Sequence, residues 1–74
     1  MNMAQFHITS ENTEDTFDST DDLQDAIRIA REVVQTEQAG DPVNIEHKGM
    51  VIRQFVLMPD GKVAEEVLDG YLPE

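Results

Sequence analysis

The sequence predicts a two-layer α+β fold: an antiparallel sheet of three to five strands with one long helix, about residues 19–39, packed on one face, in the order β-(β)-α-β-β-β. Three observations predict it. One stretch carries apolar residues at helical spacing. Two others alternate apolar and polar residues with a period of two. The longest apolar run, Met50–Met58, is interrupted only by Arg53 and Gln54 and is bounded by H-K-G and P-D-G. Gly, Pro and Asp in such positions mark tight turns. The 74 residues make a single domain, 1–74. A chain this short buries only about 60–65% of the surface its unfolded form exposes, so packing or a partner subunit must supplement its stability.

Along the chain, Ala4, Phe6 and Ile8 alternate with Gln5, His7 and Thr9, the pattern of a half-buried strand. His7 falls on the polar side and reads as a solvent-facing strand residue. Glu11–Asp18 is polar and acidic; E-N-T-E suits a turn, and D-T-F-D suits a short return strand with Phe17 tucked inward. No Gly occurs between residues 11 and 22, which rules out an EF-hand loop and leaves only adventitious divalent binding.

Ser19–Ala39 reads as the helix. Ser19 is the expected N-cap, with Asp22 as the acidic partner of a capping box. Leu23, Ala26, Ile27, Ala30, Val33 and Val34 form one stripe, with Ile29 at its edge. Small Ala26 and Ala30 would let the helix sit close on a sheet. Arg28 can pair with Asp25 or Glu32 for a few tenths of a kcal/mol each. Gly40 suits the residue after the helix, and Pro42 forbids its continuation.

Val43–Lys48 alternates again, and Gly49 leads into the central run. The run ends at Pro59-Asp60-Gly61. Lys62–Leu68 fits a strand or a helix, and the tight turn before it favours the strand. Tyr71–Glu74 is a tail.

Both H47-K48-G49 and P59-D60-G61 suit three-residue hairpin loops that close on a left-handed Gly. That register places Glu46 opposite Met50 and Met58 opposite Lys62. One face then gathers Val43, Ile45, Val51, Phe55, Leu57, Val63 and Val67 for the helix to cover. The other gathers Met50, Ile52, Val56, Met58 and Ala64, edged by Asn44, Glu46, Gln54 and Glu66. An exposed patch of roughly 300–400 Å² on a small monomer points to an interface, unless an end of the chain folds across it. Met50, Ile52, Val56 and Met58 are therefore the candidate interface residues. A two-residue loop at Lys48-Gly49 would alter these faces, because a slip of one residue reverses every side chain.

Composition restricts the function classes. The chain has 16 Asp+Glu against 5 Lys+Arg, a formal net charge of −11, and no Lys or Arg before Arg28. That argues against direct binding to nucleic acid or an anionic membrane. It suits a basic protein partner or mimicry of a nucleic acid, and it also serves plain solubility. No Cys is present, so disulfides and thiolate metal sites are excluded. No basic-then-apolar leader opens the chain, and the apolar run is too short to span a bilayer. A cytoplasmic location is expected. Ser10, Ser19, His7 and His47 form no spacing that demands catalysis, and the four Gly form no phosphate loop. No catalytic residue, cofactor or metal ligand is expected. The sequence thus favours a non-enzymatic interaction module that self-associates, as a dimer, through the second sheet face. An acidic regulator of a basic protein is the alternative.

Overall fold

A computed structural model describes residues 5–68. Five strands and one helix follow in the order β1 (Phe6–Ser10), β2 (Thr16–Thr20), α1 (Leu23–Val34), β3 (Val43–His47), β4 (Met50–Leu57) and β5 (Val63–Val67). The strands form one sheet in the order β2-β1-β3-β4-β5, and every neighbouring pair is antiparallel. The α+β class, the element order and the strand at Lys62–Leu68 are as expected. β2 and β3 both run antiparallel to β1, so they run parallel to each other. α1 makes the connection between them, and β1 fills the gap.

The helix is shorter than its pattern implies. Residues Thr16–Thr20 pair with β1, with Thr20 opposite Phe6 and Ser19 opposite His7. Ser19 is therefore a strand residue, and Asp22 takes the N-cap without a side-chain cap bond. Gln35 ends the helix, and Thr36 folds back to Val33 O through both its amide and its hydroxyl. Gly40, at φ +92°, lies beyond the helix in a turn whose amide donates to Leu57 O. The stripe itself behaves as its spacing requires. Ala26, Ala30 and Val34 are fully buried, and Leu23, Ile27, Ile29 and Val33 pack around them. From the sheet, Phe6, Ile8, Val43, Ile45, Ile52 and Phe55 complete the core.

The two hairpin loops differ. Pro59-Asp60-Gly61 forms the expected three-residue loop: Gly61 N donates to Met58 O, Met58 N donates to Lys62 O, and Gly61 sits at φ +89°. At the other hairpin, His47 pairs with Met50, so only Lys48 and Gly49 form the loop. Both have positive φ, +54° and +79°, as a type I′ turn requires. This corrects the three-residue loop. A bulge then follows, since Val51 faces Glu46 while Arg53 faces Ile45, and Ile52 is the extra residue between. The turn shifts the register by one, and the bulge shifts it by one more. Beyond the bulge, Phe55 and Leu57 regain the helix side as expected. Within it, Val51 turns to the open face and Ile52 turns inward to 2% exposure.

The bulge also buries Arg53, which is 6% exposed. Its Nη1 donates to Ile52 O at 3.3 Å. Its Nε lies 3.5 Å from Glu65 Oε2, an ion pair in which Nε makes no hydrogen bond. Glu65 also accepts from Arg31 Nη2 at 2.6 Å, and the Arg31 guanidinium stands 5.7 Å from the Phe55 ring centre. One carboxylate on β5 thus ties together a helix arginine and a buried strand arginine.

Candidate functional site on the open sheet face

The helix covers one face of the sheet. On the other, alternation places His7 and Thr9 from β1, Asn44 and Glu46 from β3, and Val51, Gln54 and Val56 from β4. Register brings these side chains together: His7 faces Glu46, Thr9 faces Asn44, and Asn44 faces Gln54. The β1–β2 loop adds Glu11 and Glu14 above them. Most of them border an open depression of about 560 Å³, lined by His7, Thr9, Ser10, Glu11, Glu14, Thr16, Asn44, Glu46 and Val51; Gln54 and Val56 lie outside it. None of those residues is Lys or Arg.

The carboxylates are held in place. Glu46 Oε2 accepts from the Thr9 hydroxyl at 2.9 Å. Glu11 Oε1 accepts from Asn44 Nδ2 at 2.5 Å, and Gln54 Nε2 donates to Asn44 Oδ1 at 3.0 Å. Thr9 and Asn44 are buried, so the amide and hydroxyl that grip the acids are themselves fixed. His7 shares a 2.8 Å hydrogen bond with the Ser19 hydroxyl on the neighbouring strand. Glu14 is set by the loop, where its amide donates to Ser10 O at 2.8 Å and its φ is +63°. Left-handed backbone is uncommon for a residue of this kind.

The four candidate interface residues do not meet in one patch. Ile52 lies in the core. Met50 and Met58 are exposed but stand eight residues apart, roughly 26 Å along an extended strand. They also differ in face. Met50 pairs with His47, whose ring stacks on Phe6 at 4.6 Å on the helix side, whereas Met58, the residue after helix-side Leu57, falls by alternation on the open side. Val56 is half-buried on the open face opposite Ala64. Phe17, expected to tuck inward, is 39% exposed at the irregular pairing of edge strand β2. Coverage of the open face by Met1–Ala4 or by Tyr71–Pro73 lies outside the described residues.

His7 and His47 occupy opposite faces, so the fold does not join them in one site. Among the described residues, no group of three or more His, Asp or Glu is arranged to hold a metal ion. Among them, too, no helix is long and apolar enough to cross a membrane. No protein-family model, no curated protein and no solved structure matches this chain.

The sequence did carry a signal for the groove. The polar members of the two alternating stretches, 7 and 9 in one and 44 and 46 in the other, form a continuous strip once β1 and β3 are neighbours. That neighbour relation skips β2 and the helix, and local pattern does not encode it.

Proposed function

We propose that this protein is a small acidic interaction module that holds a basic segment of a partner protein against the open face of its sheet. The observation that carries this reading is the depression bordered by Glu11, Glu14 and Glu46 with no Lys or Arg in its lining. The bonds from Asn44 and Thr9 fix two of those carboxylates before any partner arrives. Preset acceptors suit the ammonium of Lys or the forked guanidinium of Arg. A net charge of −11 adds long-range attraction for a cationic partner and speeds its encounter.

Fluorescence anisotropy with a labelled oligo-arginine peptide tests the reading. The Glu11→Gln, Glu46→Gln double variant keeps the side-chain oxygens that Asn44 and Thr9 use while removing both charges. Its affinity should fall by at least about tenfold, equivalent to about 1.4 kcal/mol. The distant double control Glu32→Gln, Asp60→Asn removes the same number of charges and should change little. Binding by the wild type should weaken steeply as salt rises. Equal losses in the two variants would show that only total charge matters, and would defeat the groove.

A further inference from the structure

We infer that two copies of this chain join edge to edge through β5, in antiparallel register centred on Glu65. The hydrogen-bond alternation of the β4–β5 ladder is the starting point. Met58 N bonds Lys62 O at one end, and Leu68 N bonds Ile52 O at the other. In an antiparallel ladder inward-bonded residues alternate, so residues 62, 64, 66 and 68 face β4. Val63, Glu65 and Val67 then direct their N–H and C=O groups outward, where no described residue takes them. Glu65 shows the same thing by exposure. The residue as a whole is exposed, yet its side chain is only 24% exposed, so the open part is backbone.

The two edges of the sheet are not equivalent. β2 is irregular, with a register shift opposite Ile8 and Thr9. Bulges of that kind blunt an edge against pairing. β5 pairs with β4 without a break, and contains neither Pro nor Lys. Val67, at its C-terminal end, is 56% exposed.

The outward groups at 63, 65 and 67 are symmetric about 65. A two-fold axis there uses all of them and places Val63 of one copy opposite Val67 of the other, so the exposed valine gains an apolar partner. The two Glu65 side chains would meet near the axis. Each is already matched by Arg31 and Arg53 of its own chain, which removes the repulsion that would otherwise forbid this register. On the open side, Ala64 faces Glu66 of the other copy, and Lys62 comes into diagonal reach of that same Glu66.

Charge distribution favours this surface over any other for self-contact. The chain has five cations, Arg28, Arg31, Lys48, Arg53 and Lys62, against 16 acids. Arg31, Arg53 and Lys62 all border β5. The open groove, with three glutamates and no cation in its lining, would repel its own copy. A five-residue strand pair buries little area, so the dimer is expected to form reversibly with rising concentration.

Sedimentation equilibrium across the micromolar range should show mass rising toward twice that of one chain. Val67→Lys, at an exposed position, should return it to the mass of one chain with unchanged far-UV circular dichroism. As a second variant, Val63→Cys with Val67→Cys supplies the only thiols in the chain. Mild oxidation should then give a covalent dimer, while a Val56→Cys control on the open face should not. A strict monomer at high micromolar concentration would overturn the inference. So would a dimer that survives Val67→Lys but is lost in Val56→Asp, since that result places contact on the sheet face.

Discussion

One extra residue in β4 decides which side of the sheet Ile52 serves. Simple alternation assigns it to the open face beside Val56, and the bulge rotates it under the helix, against Ile45 and Phe55 in the same cluster. The consequence is measurable. Ile52→Ala should lower unfolding stability by about 2–4 kcal/mol, the usual cost of removing a buried aliphatic side chain, seen as a lower urea midpoint with an unchanged slope. Ile52→Asp should abolish the fold, because a carboxylate would be buried within the apolar core cluster. A folded, monomeric Ile52→Asp protein would show instead that Ile52 is a surface residue. Arg53 was equally hidden from pattern reading. A cation inside an apolar run looks like a wet position, and its burial depends on Glu65, twelve residues away on the next strand.

At the scale of elements, turn chemistry was partly legible. Pro59-Asp60-Gly61 has one good reading, since Pro fixes the first loop φ and Gly61 takes the left-handed position. His47-Lys48-Gly49 has two, because its Gly can end a three-residue loop or the second half of a type I′ turn. The shorter loop goes with His47 paired to Met50 as a strand residue and stacked on Phe6, a contact no local pattern encodes. The price is Lys48 at φ +54°, where Asn or Gly sits more easily. Lys48→Asn should therefore raise stability by about 0.5 kcal/mol, and Gly49→Ala should lower it by about 1 kcal/mol. A Cβ at Gly49 would meet nothing within 4 Å, so that loss is one of backbone conformation alone. Calorimetric melting of the pair checks this, and a stabilising Gly49→Ala would contradict the type I′ assignment. The helix limits follow the same logic. Its apolar stripe was legible from spacing, but the claim of β1 on Ser19 and Thr20 was not, because strand pairing overrode a good capping sequence.

For the molecule as a whole, the unequal distribution of charge gives its two candidate surfaces opposite responses to salt. Attraction within the fold is limited. Between described residues the ion pairs are Arg28 with Asp25 and Glu32, Arg31 with Glu65, and Arg53 with Glu65. The Arg28 pairs are exposed, and such pairs contribute little. Most acids among the described residues are in no ion pair. The Cα radius of gyration is 11.7 Å. At about 0.01 M salt the screening length is about 30 Å and every charge feels every other; at about 1 M it is about 3 Å and only contacts remain. Raising sodium chloride between those limits should raise the melting temperature, because relief of repulsion outweighs the loss of so few pairs. The same change should weaken oligo-arginine binding at Glu11 and Glu46, where attraction is screened. It should strengthen self-association through β5, where the backbone ladder and the Val63–Val67 contact persist while repulsion between two chains of net charge −11 is damped. Anisotropy and sedimentation measured over one salt series compare the two directly. If self-association weakened together with peptide binding, charge attraction rather than the backbone ladder and the Val63–Val67 contact would hold the two copies, and the assignment of self-contact to the β5 edge would fail.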